Sequence, residues 1–156
     1  MTPAINCAQK AKLTYKVHQY AHDKNAASYG GEAAEKLNLS PDQVFKTLVV
    51  ELDSGALAVS VIPVSGQLNL KSMAAAAKAK KAKMADPKAV ERSSGYVLGG
   101  VSPLGQKKRL KTVIDKRALE FDTIFVSAGR RGLEIELSPN DLATLLNASF
   151  AELGKA

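Results

Sequence analysis

The spacing of apolar positions changes several times along this chain, and each change predicts an element. Ile5, Ala8 and Leu13 can share one inward face behind Thr2-Pro3, a cap followed by a first-turn proline, so a helix is predicted over roughly 3 to 12. From Tyr15 to Tyr20 the period drops to two, the mark of a strand, with Tyr15 and Val17 on one face and Lys16, His18 and Tyr20 on the other. A loop from His22 to Gly30 leads to a helix at Gly31 to Leu37, and Ser40-Pro41-Asp42-Gln43 reads as a capping box opening a short helix that ends before Phe45. Phe45 to Leu52 and Ala56 to Pro63 are β-rich runs around Asp53-Ser54-Gly55, a hairpin signal.

The second half continues in the same style. The Ala- and Lys-rich segment after Leu70 favours helix in its first part, Lys81 to Met84 a short strand, and Asp86-Pro87 a helix to about Arg92. Thr112 to Ile114, Thr123 to Ser127 and Leu133 to Leu137 read as strands, the last two joined by a turn bearing Arg130 and Arg131. Ser138-Pro139 caps a final helix to about Leu146. Hairpins dominate over β-α-β alternation, which predicts an α+β fold with a mixed, mainly antiparallel, curled or barrel-like sheet surrounded by helices. At 156 residues, one domain covering 1–156 is expected.

Composition narrows the classes. Hydrophobic content of 46% and charged content of 24% are those of a globular chain, and a net charge of +7 favours an anionic partner, nucleic acid before membrane surfaces. No segment reaches the roughly 18 apolar residues of a membrane helix, and no secretory leader is evident, so a cytoplasmic protein without membrane attachment is expected. Cys7 is the only cysteine, which excludes an internal disulfide and fits a reducing compartment. On an early helix it reads as a small buried hydrophobe.

Candidate chemistry is sparse. His18, His22 and one cysteine do not make a zinc pattern, and neither the G-x-S-x-G elbow nor a Walker loop occurs. No metal or cofactor is expected. An enzyme built from these residues would work by positioning and electrostatics. Ser94 to Lys111 combines glycines, a proline and a basic run, the makings of a backbone-lined pocket beside a cationic shelf, or of a plain surface loop. Amides at Gly99 and Gly100 can hold a carbonyl or oxyanion, and Lys46 begins an otherwise apolar strand that can border a cleft. Ser127 either donates a hydroxyl or closes its strand. Lys78, Lys80, Lys81 and Lys83 form a solvated face, with contact to RNA as the alternative.

Four motifs sharpen this picture. QVFKTLVV (43–50), KMADP (83–87), SGYVLGGVSPLGQKKRL (94–110) and VSAGRRGLEIEL (126–137), in this order, closely resemble the YbaK family of Cys-tRNA(Pro) deacylases, relatives of the editing domain of bacterial prolyl-tRNA synthetase. The resemblance implies a trans-editing enzyme that removes cysteine from mischarged tRNA(Pro), in transient complex with prolyl-tRNA synthetase. It places the family lysine on Lys46, followed by Thr47, the pocket tyrosine on Tyr20, the glycine loop on Gly99 and Gly100, and the serine before the Gly129 turn on Ser127. Tyr29 stands where phenylalanine is common, Ala128 where glycine is frequent, and Glu134 where aspartate is the family pattern. It further implies that the substrate's own thiol attacks its ester, with Lys46 neutralising charge near the terminal ribose. Lys107, Lys108, Arg109, Arg130 and Arg131 would meet the tRNA backbone by charge. Two other readings stand beside it: a non-catalytic tRNA-binding module associated with the synthetase, and an editing relative with another amino acid preference.

Overall fold

The computed structural model describes residues 1–23 and 29–155, with backbone alone at 29, 30 and 155. The Thr2 side chain accepts the Ile5 amide at 3.2 Å and starts α1 (Pro3–Lys10), where Pro3 loses nothing by lacking an N–H. The helix stops at Lys10, short of the expected end, because Lys12 turns left-handed at φ 58°. After β1 (Tyr15–Gln19) come α2 (Tyr29–Lys36), β2 (Phe45–Leu52), β3 (Leu57–Pro63) and β4 (Gln67–Leu68). Next are α3 (Leu70–Ala76), β5 (Ala82–Met84), α4 (Pro87–Ser94) and β6 (Lys111–Asp115). A 3-10 turn at Lys116–Glu120 leads to β7 (Ile124–Arg130), β8 (Leu133–Leu137), α5 (Pro139–Leu146), β9 (Ser149–Ala151) and β10 (Gly154–Lys155).

The predicted helix at Ser40 to Gln43 does not form. Ser40 Oγ accepts the Asp42 amide in a turn, while the Gln43 side chain, which a capping box would direct back at the cap, donates to the Thr123 carbonyl at 2.9 Å. A tertiary contact has taken the local partner. The chain is thereby straightened for Val44, which bridges Phe125 in parallel.

Five strands form a mixed sheet in the order β5-β2-β3-β6-β9, and three form an antiparallel sheet in the order β1-β8-β7. β10 and β4 make a separate antiparallel pair. The β3–β6 and β6–β9 pairings are parallel, the others within the large sheet antiparallel. The two larger sheets curl toward each other across Val44–Phe125 without closing, an α+β architecture as the hairpin pattern requires.

Alternation along the strands sorts the core. Phe45, Val49, Val59, Val61, Val126, Ile135 and Leu137 fill the space between the sheets. On the reverse face of the large sheet Val50, Ala58 and Ile62 pack with Met73 of α3. On the reverse face of the small sheet Phe125 and Val44 pack with Ala33 and Ala34 of α2. Val17 shares the core-side parity of Tyr15, yet it stays 41% exposed because β1 is an edge strand. Fully buried Asp115 accepts from Arg117 and the Leu153 amide, tying β6 to the C-terminal segment.

Candidate functional site

β2 explains why one lysine stands apart. One of its edges is covered by β3 along nearly its full length, whereas the other meets the small sheet at Val44 and β5 only from Val50 to Leu52. Between those contacts no strand pairs with positions 46–48 on that edge among the described residues. Lys46 lies in this gap, half-buried, on the face it shares with Val44 and Val50. Burial lowers its pKa below the ordinary lysine value, and no carboxylate lies within ion-pair distance among the described residues. Thr47 takes the opposite parity, that of Phe45 and Val49, and its hydroxyl is buried without a hydrogen-bond partner among the described residues. Its neighbour in sequence is therefore not its neighbour in the gap.

The small sheet presents a row of side chains on the face reverse to the core. His18 on β1, Glu134 on β8 and Ser127 on β7 stand directly opposite one another in register. Residues paired this way share a face, and the Val44–Phe125 bridge puts Ser127, two residues on from Phe125, on Lys46's side. His18 turns toward the next row, its Nε2 2.9 Å from Glu136 and its ring 5.1 Å from that of Phe125. Glu134 is 6% exposed, and burial alone raises its pKa to about 8. Tyr20 follows β1, held by its amide to the Gly132 carbonyl, and packs against the α2 cluster. Burial raises its phenol pKa, against the Gly132 backbone and together with the charge of Glu134.

This buried carboxyl has a measurable signature. In the unfolded chain Glu134 gives up its proton near 4.5, in the folded chain near 8, so the folded state binds more protons between those values. Stability must then fall as pH rises through that window, by about 1.4 kcal/mol per unit at the steepest. Glu134→Gln removes this contribution. Its melting temperature is expected to gain on the parent's steadily from pH 5 to pH 8; parallel profiles would mean that the carboxyl is charged throughout.

The glycine loop rests on the end of β7. α4 ends at Gly95, left-handed at φ 83°, and Gly99 is left-handed again at φ 90°. The Gly100 amide donates to the Val97 carbonyl at 3.0 Å, so of the expected amide pair it is Gly99 that has no backbone partner among the described residues. Gly100 rests on β7 so closely that a Cβ there would lie 2.8 Å from the Arg130 Cα. That contact is made possible by a bulge between Ser127 and Arg130. Gly129 within it has φ 111°, its amide donates to Ser127 Oγ at 3.1 Å, and a Cβ would meet the Tyr96 ring at 2.9 Å. Tyr96 itself donates to the Leu104 carbonyl at 2.5 Å and, by burial, has its pKa pushed up to about 12.

The five expected RNA-facing cations separate. Arg130 and Arg131 line a cleft of about 510 Å³ with Gln19, Tyr20, His22 and Gly132. Lys107 lies against Gly95 at the end of α4. Lys108 and Arg109 instead border a smaller groove beside Cys7, where Arg109 donates to the Leu145 carbonyl at the end of α5. Cys7 is partly exposed there. Tyr29 opens α2, and its side chain lies outside the described residues.

One group escaped the sequence reading. Arg131 donates to His22 Nε2 at 3.1 Å, which leaves Nδ1 as the donor to Glu32 at 2.8 Å. Glu32, on α2, also accepts the Asp23 amide at 2.6 Å. Burial opposes its ionisation, but the hydrogen bonds from His22 and Asp23 outweigh burial and hold the carboxyl below its usual range. This strut fastens α2 to the β7–β8 hairpin. No motif signals it, because its members are 10 and 109 residues apart.

Comparison with known proteins adds identity to this geometry. The family described as aminoacyl-tRNA editing domain matches residues 23–145. EbsC of Enterococcus faecalis, named "Putative Cys-tRNA(Pro)/Cys-tRNA(Cys) deacylase", is 37% identical over 152 residues, covering 97% of this chain and 92% of its own. YwhH of Bacillus subtilis, uncharacterized, is 35% identical over 63 residues, 40% of each chain. The crystal structure of hypothetical protein APE2540 superposes with a TM-score of 0.87 at 27% identity, covering 98% of this chain and 99% of its own. A "putative trans-editing enzyme for prolyl tRNA synthetase" superposes at 0.85 with 20% identity, covering 99% and 96%, a likeness of fold.

Proposed function

Because the chain belongs to the aminoacyl-tRNA editing domain family, we infer that it is a trans-editing deacylase that removes cysteine from mischarged Cys-tRNA(Pro). The observation that carries this reading is Lys46, a half-buried ammonium without a carboxylate partner among the described residues, in the one stretch of the β2 edge left open between β7 and β5. A cation kept unpaired at a partly desolvated opening suits an anionic ligand, and a tRNA terminus supplies one. The need is real: a synthetase distinguishes side chains differing by one methylene by only about 1 to 3 kcal/mol, so a second site must complete the selection.

In the proposed reaction the cysteinyl thiol supplies the nucleophile. Its sulfur bonds to the ester carbonyl carbon, the carbon–oxygen bond to the terminal ribose breaks, and the thiol proton ends on the departing ribose oxygen. The product is a cyclic thioester that water opens to free cysteine. Lys46 stabilises negative charge at the ribose and its phosphate, and the Gly99 amide holds the carbonyl as charge develops. Glu134, uncharged below about pH 8, keeps a second negative charge out of the site. Ser127 and Tyr20 border the aminoacyl group, and Arg130, Arg131 and Lys107 take backbone phosphates. Transient complex formation with prolyl-tRNA synthetase supplies tRNA selectivity.

Deacylation of a panel of charged tRNAs, with and without prolyl-tRNA synthetase, tests this reading. Cys-tRNA(Pro) is expected to turn over under enzyme-limiting conditions, and Ser-tRNA and Ala-tRNA, which lack the thiol, are expected to persist. Rapid release of alanine would replace thiol assistance with attack by water, and binding without turnover would leave a tRNA-binding module.

A further inference from the structure

Outside the site, the turn between α3 and β5 carries a dense run of positive charge. Lys78, Lys80, Lys81 and Lys83 are all exposed there. Lys83 pairs with Glu51 at 3.6 Å, whereas no carboxylate lies within ion-pair distance of Lys78, Lys80 or Lys81 among the described residues. The turn is held on a fixed backbone. Asp53, at the tip of the β2–β3 hairpin, accepts the amides of Lys80 and Lys81 at 3.0 and 3.3 Å through one carboxylate oxygen. The Asp53 amide in turn donates to the Lys81 carbonyl at 3.1 Å. Lys78 ends the preceding helix in the left-handed region at φ 60°, with its amide and that of Ala79 bonded back to Ala75 and Ala74. The carboxylate that most nearly faces these ammonium groups is thus occupied with main-chain donors.

The position of this turn relates it to the site. β5 pairs with Val50 to Leu52 of β2, so the turn lies beyond the far end of the strand that carries Lys46 as its second residue. At ~3.3 Å per residue it stands about 20 Å from Lys46 along β2. Lys88 and Arg92 on α4, both exposed, continue the cations from β5 back toward Gly95 and Lys107; Asp86 and Glu91 are the acids beside them.

We propose that Lys78, Lys80 and Lys81 form a second nucleic-acid contact, gripping phosphates in the duplex part of the acceptor arm while the aminoacyl end occupies the Lys46 gap. The proposal rests on the deacylase reading for the placement of the arm. RNA is favoured over an acidic protein because the turn offers point charges without an aromatic anchor, and protein interfaces draw their affinity from such anchors. Contacts of this kind position a substrate without reading its sequence, which fits a deacylase that leaves tRNA choice to a synthetase.

The test compares the full chain with a Lys78→Ala/Lys80→Ala/Lys81→Ala variant, using uncharged tRNA(Pro) transcript as probe at salt from roughly 50 to 300 mM KCl. The slope of log affinity against log salt is expected to become shallower by about two to three, one for each lost phosphate contact. With Cys-tRNA(Pro), KM is expected to rise on the order of tenfold at unchanged kcat. An unchanged slope overturns the surface, and so does a fall in kcat that matches the loss of affinity, since the lysines would then act on the site itself. If the parent chain releases no cysteine, the deacylase reading fails and the binding slope still decides the surface.

Discussion

Lys46→Ala is expected to lower kcat/KM for cysteine release from Cys-tRNA by ~10²-fold or more, while the variant melts at or slightly above the parent temperature. The two readouts diverge for one physical reason. The ammonium sits partly desolvated in the β2 gap without an ion-pair partner among the described residues, so the folded chain gains nothing from its charge, as its lowered pKa records. The same charge acts with full effect on an anion brought into the gap, where water screens it less. Lys46→Met keeps the stem and deletes the charge. It should match the alanine variant in activity, and Lys46→Arg, with its bulkier planar head, should recover only part. Single-turnover deacylation beside thermal melting reads both. Activity within threefold of the parent would remove Lys46 from the mechanism, and parallel loss of melting temperature would make it a packing residue.

Gly100→Ala carries the second large effect. Its Cβ would lie 2.8 Å from the Arg130 Cα and 3.2 Å from the Arg130 amide nitrogen, all backbone, so no side chain can turn aside. The loop must lift from the β7 bulge. We expect a stability loss of about 1 to 3 kcal/mol, as for other overpacked contacts. We also expect activity to fall ~10²-fold, because a shift of about 1 Å in the neighbouring Gly99 amide misplaces the group proposed to hold the carbonyl. Gly55→Ala is the control: it is left-handed at φ 90°, but open space surrounds it. It should cost about 1 to 2 kcal/mol from backbone conformation and leave turnover unchanged. Equal activities for the two variants would show that the loop's seat on β7 does not matter for the reaction.

The elements that were legible in the sequence are those whose signals are local. Ser138-Pro139 starts α5 because Ser138 Oγ accepts the Asp141 amide, and Asp53-Ser54-Gly55 turns β2 into β3 because Gly55 reaches φ 90°. Of the strands of two or three residues, β5 was expected at Lys81 to Met84, whereas β4, β9 and β10 were missed, since so short a run has no period of its own. Ser40 to Gln43 shows the opposite failure. It carries every residue of a capping box, and a carbonyl 80 residues away claimed the glutamine.

The candidate site divides in the same manner. Its motifs, and with them the family, are legible in residue order alone, because family membership resides in local strings such as GYVLGG and VSAGRRG. Their assembly is not. That Lys46 lies in a gap with Ser127 on its side follows from strand pairing between distant segments, and that Arg109 turns from the cleft to the end of α5 follows from a side-chain contact with a helix 36 residues on. Glu134 gives the plainest case. The sequence presents a carboxylate in a hairpin, ordinarily charged at neutral pH, and only its place between β1 and β7 buries it and raises its pKa to about 8. Sequence by itself determined the longer elements, the basic balance and the family, because dihedral preference, charge and motif are properties of neighbouring residues. The tertiary structure decided which groups share a face and which charges survive there, because desolvation depends on what the rest of the chain packs around them.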